Sequence, residues 1–155
     1  HKPNWQESKV VYVGDGNNVC ESLIKICDIM NVSITVACPK GYEPKTLSSY
    51  LTVTDDVAAA VSNADVIYTD VWVSMGQEDE HEERVTIFNP YQVTMNLLKQ
   101  ASPDVIFMHC LPAERGFEVT DEVMESSYSV VFDQAENRLH AQKAIITILG
   151  GVSYE

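Results

Sequence analysis

Val105-Ile-Phe-Met-His109-Cys110-Leu111-Pro112 is the stretch that decides the fold class of this chain. Its four leading apolar residues are typical of a strand that is buried on both faces of a parallel sheet. Leu111-Pro112 should end that strand, because proline has no N–H to donate to a ladder. His109 and Cys110 therefore stand at the end of a central strand, which is where open α/β sheets bind their ligands.

A purely structural interpretation of His109 and Cys110 stays open at this point. Free cysteine is among the most buried residue types, and a histidine can be satisfied inside a core. The reactivity of a thiol also depends on its surroundings more than on the sequence around it. Taken alone, the His-Cys pair favours a functional site and a packed core about equally.

Short apolar or β-branched runs alternate with amphipathic segments on both sides of this stretch. We predict strands at residues 9–13, 33–38, 51–54, 64–72, 105–108 and 128–132. We predict helices at residues 19–30, 57–61, 92–100, 117–125 and 139–149, with a further helix after the acidic run 78–83. This alternation predicts an α/β fold, a doubly wound, Rossmann-like parallel sheet with helices on both faces in three αβα layers. We expect residues 9–150 to form one domain, residues 1–8 a linker or the end of an interdomain helix, and residues 151–155 a tail.

Length and charge exclude several classes of partner. The 155 residues are enough for one domain with its own core. Lys and Arg total 10 against 23 Asp and Glu, a formal net charge of -13, so we expect no nucleic-acid partner and no anionic membrane partner. No apolar run reaches the length of a membrane span, and no signal peptide is visible. The chain begins at His1 rather than Met, and we expect it to be a piece of a longer protein.

The motifs indicate neither a metal nor an organic cofactor. The four cysteines, which are Cys20, Cys27, Cys38 and Cys110, contain no C-x-x-C pair, so we predict no metal site. We expect the first three to be small core residues in a reducing compartment. The turn Gly14-x-Gly16 is not followed by the third glycine of a dinucleotide fingerprint, because Val19 stands there. This mismatch disfavours a nicotinamide cofactor.

Polar side chains follow several of the predicted strands at the point where each strand ends. They are Asp15, Asn17 and Asn18 after the first strand, Asp70 and Ser74 after residues 64–72, His109 and Cys110 after residues 105–108, and Asp133, Glu136 and Arg138 after the last. Because the carboxyl ends of parallel strands share one edge of the sheet, we expect these groups to converge in space. This convergence favours a binding site over a packed core.

Some residue types at this edge suit a small zwitterion. An amide of Asn17 or Asn18 at a helix N-terminus can bind a carboxylate, although either residue can simply cap the helix. Asp70 can pair with an ammonium group, or it can form a salt bridge or a cap within the protein. Ser74 and the backbone of Met75 could complete the recognition of such a ligand.

Two further residues suit other parts of a substrate. Arg138 is the cation at this edge and fits a carbonyl or phosphate oxygen, although a lone arginine is by default an exposed helix residue. Cys110 can hold or polarise an amine without attacking it covalently.

Five segments of the chain together resemble one enzyme family. They are Val13-Gly-Asp-Gly-Asn-Asn18, Pro39-Lys-Gly-Tyr-Glu-Pro44, Asp70-Val-Trp-Val-Ser-Met-Gly-Gln-Glu78, His109-Cys-Leu-Pro112 and Glu136-Asn-Arg138. In this order they are similar to the signature segments of ornithine carbamoyltransferases, within the aspartate/ornithine carbamoyltransferase family, and they cover nearly the whole chain. Aspartate carbamoyltransferases have a proline where Cys110 stands. Putrescine carbamoyltransferases lack the Ser74-Met75-Gly76 type of loop.

The resemblance implies a fold of two α/β domains, and this chain is similar only to the second. The first domain binds carbamoyl phosphate through a Ser-Thr-Arg-Thr-type loop and a His-Pro-x-Gln segment, and both are absent from this sequence. The complete enzyme would be a homotrimer in the cytoplasm, or in the mitochondrial matrix of a eukaryote. We therefore expect this chain alone to have no carbamoyl transfer activity.

The resemblance also implies site residues, position by position. L-Ornithine would be held by Asn18, Asp70, Ser74 and Met75, with Cys110 and Asp70 orienting its side-chain amine. The carbamoyl phosphate side would be met by His109, Cys110, Leu111 and Arg138, and the expected catalytic residues are Cys110, Asp70, His109 and Arg138. The neutral δ-amine of ornithine would attack the carbamoyl carbon and expel phosphate to give citrulline, with no metal or organic cofactor. The alternatives are a carbamoyltransferase for putrescine or acetylornithine, and a non-catalytic Rossmann-like module that binds an amino acid.

Overall fold

The fold is built on short parallel strands that are rich in β-branched residues. The computed structural model describes residues 2–73, 76 and 78–151. Its strands are β1 (Val10–Val13), β2 (Ile34–Ala37), β3 (Leu51–Thr54), β4 (Val66–Thr69) and β5 (Ile106–His109). They pair in parallel in the order β3-β2-β1-β4-β5, which confirms the predicted doubly wound sheet.

Six α-helices connect and cover these strands within the described residues. They are α1 (Asn18–Met30), α2 (Val57–Val61), α3 (His81–Phe88), α4 (Met95–Leu98), α5 (Asp121–Met124) and α6 (Val131–Leu149), with 3₁₀ turns at Trp5–Glu7, Glu78–Glu80 and Asn89–Tyr91. The N-cap of α1 is Asn17, whose side-chain oxygen accepts from the N–H groups of Val19 and Cys20 at 3.0 and 3.1 Å. In the part of the chain that is described, no helix is both long and apolar enough to cross a membrane.

Side chains alternate between the two faces of the sheet and build a core on each. On one face, α1 packs its buried residues against four strand residues, which are Tyr12, Ile34, Val36 and Tyr68. On the other face, the strand residues Val11, Val13, Ile67 and Phe107 pack with residues of α2, α4 and α5. The three αβα layers are therefore present as predicted. The domain limits at residues 9 and 150 stay a prediction.

The predicted last strand at residues 128–132 is wrong. The Phe107 N–H donates to the Tyr128 carbonyl at 2.7 Å, and the Val130 N–H donates to the Phe107 carbonyl at 3.0 Å. Only an isolated bridge at Ser129 therefore extends the sheet. The chain turns helical at once, and α6 begins at Val131 rather than at the predicted residue 139.

Two helices are shorter than the predicted ranges 92–100 and 117–125. Their N-caps are Thr94 and Thr120, whose side-chain oxygens accept from the N–H groups of Leu97 and Val123 at 3.2 and 3.4 Å. A capping residue keeps an extended backbone, so α4 and α5 cannot begin before it.

The strand order creates a crevice beside β1. From β1 the chain returns through α1 to β2 on one side, and from β3 it returns through α2 to β4 on the other side. The carboxyl ends of β1 and β4 are therefore neighbours at a topological switch point, which is where open α/β sheets bind ligands. Asp15 and Asn17 follow β1 at this crevice, and Asp70 follows β4.

Buried thiols should make the stability of this fold sensitive to alkaline pH. Burial raises the pKa of Cys38 to about 12 and raises the pKa of Cys20 well above that of an ordinary thiol. The folded state keeps these thiols protonated, so its advantage is complete below the pKa of an unfolded thiol and is lost as pH rises from about 9 towards 12. We expect the free energy of unfolding to fall by about 1 kcal/mol per pH unit for each thiol in that window.

Urea unfolding at pH values of about 8.5, 9.5 and 10.5 measures this loss. A Cys38→Ala variant should have a lower free energy of unfolding than the unaltered chain at the lowest of these pH values. That free energy should then fall less steeply as pH rises. Equal slopes in the two proteins would show that the Cys38 thiol is not the titrating group.

Candidate active site

An aspartate and a cysteine meet at the carboxyl ends of β4 and β5. The strand register pairs Thr69 with His109, so the residues that follow, Asp70 and Cys110, leave the sheet side by side. The Cys110 thiol donates a hydrogen bond to Asp70 Oδ1 at 2.9 Å. The fold thus joins two residues that the sequence separates by 40 positions.

Three donors hold the Asp70 carboxylate, which is only 6% exposed. Besides the thiol, the Val71 N–H donates to Oδ1 at 2.9 Å, and Asn17 Nδ2 donates to Oδ2 at 2.9 Å. Asn17 also caps α1, so one side chain ties the start of that helix to the acid. Within the described residues no lysine or arginine forms an ion pair with Asp70. Its negative charge is therefore available to an ammonium group of a ligand.

The Cys110 thiol is neutral at physiological pH. Burial, together with the hydrogen bond and charge of Asp70, raises the pKa of Cys110 to about 12. The thiolate is the nucleophilic form of cysteine, so this environment is unsuited to covalent attack. It suits the other role considered for Cys110, which is to hold or polarise an amine beside Asp70.

Both ring nitrogens of His109 are taken by protein partners, and the residue is 1% exposed. The Leu111 N–H donates to Nδ1 at 2.9 Å, and Nε2 lies 3.0 Å from Glu118 Oε1. Because Nδ1 accepts, Nε2 must carry the ring proton and donate it to Glu118. No ring nitrogen is left to contact a substrate, which differs from the direct role that the resemblance implies. His109 instead positions the backbone of Leu111, whose φ is 52°.

Asp70, His109 and Cys110 have ligand atoms within 4.8 Å of one another, as in a metal site. The chemistry of these donors does not fit a metal ion. A cysteine binds a metal ion as the thiolate, and a histidine binds it through a ring nitrogen with a free lone pair. Here the thiol is protonated and hydrogen-bonded to Asp70, and the His109 nitrogens are occupied as described.

The remaining predicted site residues lie at different distances from this pair. Asn18 is exposed at the first position of α1 and lines a shallow cleft with Tyr68. Arg138 is exposed on α6 and contacts neither Asp70 nor Cys110. Ser74 and Met75 lie outside the described residues. The structure therefore brings together Asp70, Cys110, His109 and Leu111, with Asn18 at the rim.

Three residues around the site were not singled out by the sequence motifs. Tyr68 precedes Asp70 by two positions and so shares its face of β4, and this period of two is a signal that could have indicated it. Gln134 lies one helical turn before Arg138 and accepts from the His109 N–H at 3.1 Å. Glu118 has no sequence signal, because a single acidic residue between two apolar ones in a loop marks nothing.

A buried arginine on α3 braces the other side of the crevice. Arg84 is 4% exposed, donates through Nε to the Trp72 carbonyl at 2.6 Å, and forms an ion pair with Asp15. Its guanidinium also lies 5.0 Å from the centre of the Tyr42 ring and 5.3 Å from that of Phe88. These contacts fix α3 to the end of β1, because a buried charge pair is costly to separate.

A parallel α/β sheet with an acid–thiol pair at the carboxyl ends of β4 and β5, beside its switch point, defines a Rossmann-like domain whose crevice suits a small ligand. The chain belongs to the aspartate/ornithine carbamoyltransferase family, since the family model of the Asp/Orn binding domain matches residues 6–149.

Relatives in this family are slightly more than half identical to the chain over the matched residues. The ornithine carbamoyltransferase of Methanosarcina acetivorans is 54% identical over 153 residues, which are 94% of this chain and 51% of that protein. The ornithine carbamoyltransferase of Thermococcus kodakarensis is 54% identical over 165 residues, covering 97% of this chain and 52% of that protein. The solved ornithine carbamoyltransferase of Pyrococcus furiosus matches with a TM-score of 0.87 and 52% identity, over 96% of this chain and 51% of that one. The chain therefore spans about half the length of the relatives it matches.

Proposed function

We propose that this chain is the amino-acid-binding half of an ornithine carbamoyltransferase. The complete enzyme transfers the carbamoyl group of carbamoyl phosphate to the δ-amine of L-ornithine, giving L-citrulline and phosphate in arginine metabolism. The observation that carries the proposal is the Asp70–Cys110 pair at the switch point, 2.9 Å apart. A buried carboxylate that forms no ion pair with a lysine or arginine of the described residues suits an ammonium ligand, and relatives of this sequence are named ornithine carbamoyltransferases.

The residues of this chain suit the ornithine side of the reaction. Asp70 attracts the ammonium groups of ornithine, and the neutral Cys110 thiol beside it directs the side-chain amine. Asn18, Ser74 and Met75 complete recognition of the α-amino and α-carboxylate groups. The δ-amine loses a proton, its nitrogen forms a bond to the carbamoyl carbon, and the C–O bond to phosphate breaks as phosphate leaves. Positioning of two substrates in this way supplies up to roughly 7–11 kcal/mol of a barrier.

The carbamoyl side of the reaction needs a second half of the protein. His109 and Cys110 position the Leu111 backbone near the carbamoyl group, and Arg138 binds an oxygen of carbamoyl phosphate. Beyond Arg138, α6 carries several apolar side chains that are more than half exposed. They are Leu139, Ile145, Ile146, Ile148 and Leu149. A row of exposed apolar residues marks an interaction surface, and we assign it to the carbamoyl-phosphate half.

Assembly and location follow the same proposal. The complete enzyme is a homotrimer that assembles mainly through the other half. It works in the cytoplasm, or in the mitochondrial matrix if the source is eukaryotic. All cysteines are free within the described residues, which suits a reducing compartment.

Ligand-dependent stability of the chain tests the ornithine site directly. L-Ornithine at about one hundred times its Kd should raise the free energy of unfolding by roughly 2.7 kcal/mol, read as a rise in the thermal unfolding midpoint. Putrescine, which lacks the α-carboxylate, should give a smaller rise, and Cys110→Ala should weaken the effect of ornithine. A larger rise with putrescine would contradict the assigned substrate.

Activity measurements test the rest of the proposal. The complete two-domain enzyme should form citrulline from L-ornithine faster than it carbamoylates acetylornithine or putrescine. The 155-residue chain alone should form none with both substrates present. Citrulline formed by the chain alone would disprove the need for the second half, and ornithine binding without transfer by the complete protein would indicate a binding module.

A further inference from the structure

We propose that Gln134 and Tyr68 form a positioning clamp that holds the Asp70–Cys110 pair in register with the helix that carries Arg138. The inference rests on the proposed function and goes beyond it. It assigns a role to two residues that no motif singled out. It also states how the ornithine side and the carbamoyl side of the site are kept aligned.

The side-chain amide of Gln134 bonds to two neighbouring strands at once. Its Oε1 accepts from the His109 N–H on β5 at 3.1 Å, and its Nε2 donates to the Tyr68 hydroxyl on β4 at 3.0 Å. The His109 N–H can only donate, so a reversed amide would lose this bond, whereas the Tyr68 hydroxyl can donate or accept. The amide orientation is therefore fixed by the backbone N–H next to Cys110.

The Tyr68 hydroxyl continues this arrangement to the thiol. Tyr68 is buried on β4 and stacks on Tyr12 with ring centres 5.9 Å apart, and its hydroxyl lies near enough to the Cys110 thiol to lower the pKa of that thiol. Since the amide of Gln134 donates to this hydroxyl, the hydroxyl can direct its own proton at the sulfur. The thiol in turn donates to Asp70 Oδ1.

With the hydroxyl proton directed at the sulfur, the polar groups are ordered in one direction, from Gln134 through Tyr68 and Cys110 to Asp70. A carboxylate only accepts and an amide NH₂ only donates, so neither end of the chain can reverse. Each bond in such a chain polarises the next and strengthens it. The consequence is that the thiol proton is held on the side of Asp70, which leaves the sulfur oriented in the same way in every turnover.

Gln134 is also the point at which α6 leaves the body of the domain. It is half-buried in the first turn of the helix, whereas residues 135–146 are all exposed. Arg138 lies four positions later and so on the same face of α6. Any tilt of the helix that moves Arg138 must strain the two bonds of Gln134. The clamp thus couples the place of Arg138 to that of Cys110 and Asp70.

Substitutions in the complete two-domain enzyme test the clamp. Tyr68→Phe keeps the stacked ring and removes only the hydroxyl. Gln134→Glu keeps the acceptor for the His109 N–H but offers only acceptors to Tyr68, which draws the hydroxyl proton away from the sulfur. We expect kcat to fall by about 3- to 10-fold in each variant, the range that one hydrogen bond covers, with the KM for ornithine changed by less than about twofold.

The KM for ornithine stays nearly constant because Asp70 keeps its charge. The kcat falls because the amine and the carbamoyl group lose their alignment. A Tyr68→Phe/Gln134→Glu double variant should be no slower than about three times the worse single variant, since both changes act on the same Gln134–Tyr68 bond. Losses that multiply would contradict a shared clamp. The matched controls are Tyr50→Phe, whose hydroxyl donates only to Asn31 at 2.7 Å, and the exposed Gln142→Leu on α6.

A spectroscopic measurement separates this role from general packing. The S–H stretching band of Cys110, taken as the difference from a Cys110→Ala variant, should move to higher frequency in Tyr68→Phe because the bond to Asp70 weakens. An unchanged band together with unchanged kcat would overturn the inference. If Tyr68→Phe fails to fold, the Gln134→Glu variant, whose substitution is at a half-buried position, tests the inference through the same S–H band and the same kcat. A wild-type enzyme without citrulline formation would instead disprove the proposed function, which keeps the two failures distinct.

Discussion

Replacing Asp70 by asparagine in the complete two-domain enzyme is expected to lower kcat/KM for L-ornithine by about 100- to 1,000-fold. This corresponds to a loss of roughly 3–4 kcal/mol, within the range for removal of one partner of a desolvated charge pair. Asparagine keeps the shape of the side chain but removes the charge that faces the ammonium group. The side-chain NH₂ of the new asparagine would face either Asn17 Nδ2 or the Cys110 thiol. Both of these groups donate to Asp70 in the native site, so two donors would then face each other.

Steady-state kinetics with each substrate varied in turn measures this effect. The KM for carbamoyl phosphate should stay within about twofold, since Asp70 lies on the ornithine side of the site. Asp55→Asn is the matched control, because Asp55 follows the edge strand β3 and its side chain forms an exposed ion pair with Lys40 at 3.2 Å. That pair is worth little, so activity should be unchanged. A loss below about fivefold in Asp70→Asn would mean that the charge does not anchor ornithine.

The convergence of strand ends was predictable because it follows from parallel pairing alone. Once residues 105–108 and 64–72 are interpreted as neighbouring parallel strands, Asp70 and Cys110 must lie at one edge. The observed register then places them in direct contact. What the sequence does not contain is the direction of the polar bonds, because the partners Gln134, Tyr68 and Glu118 come from elements whose packing is set by the whole fold.

The start of α6 shows why a helix can escape a periodicity argument. Residues 133–138 are polar except for Ala135, and residues 135–146 of the helix are exposed. After its first turn α6 is exposed and needs no apolar stripe, so residues 133–138 give no amphipathic signal. The β-branched pair Val130-Val131 at the start of α6 favoured a strand, because β-branched residues suit buried strands and buried helix starts alike.

The family resemblance implied a catalytic role for His109, and the hydrogen bonds of its ring favour a positioning role instead. Its burial and its two ring contacts make it part of the frame that shapes the Leu111 backbone. The sequence shows that His109 lies at a strand end, but only the hydrogen bonds show that both of its ring nitrogens are occupied. The role of the adjacent thiol in holding an amine stays a prediction, and its raised pKa is compatible with it.

Removal of the Glu118 carboxylate is expected to be the most destabilising change in the site region. In Glu118→Ala the free energy of unfolding should fall by about 3–5 kcal/mol, the usual cost of breaking a buried ionisable pair by removing one partner. Glu118 is fully buried, and its Oε1 accepts from the Glu114 N–H at 2.6 Å and lies 3.0 Å from His109 Nε2. Both donors would lose their acceptor without access to water.

Urea unfolding of the single and paired variants measures this contribution. A His109→Leu/Glu118→Leu protein should be more stable than the sum of the single losses predicts, by at least about 1 kcal/mol, because residues in contact do not act independently. The matched control is the exposed pair of Glu136 and His140 on α6, whose atoms lie 3.6 Å apart. Glu136→Ala should change the free energy of unfolding by less than about 0.5 kcal/mol. Equal effects at the buried and exposed pairs would show that Glu118 does not fix His109, and strictly additive losses in the double variant would show that the two residues do not interact.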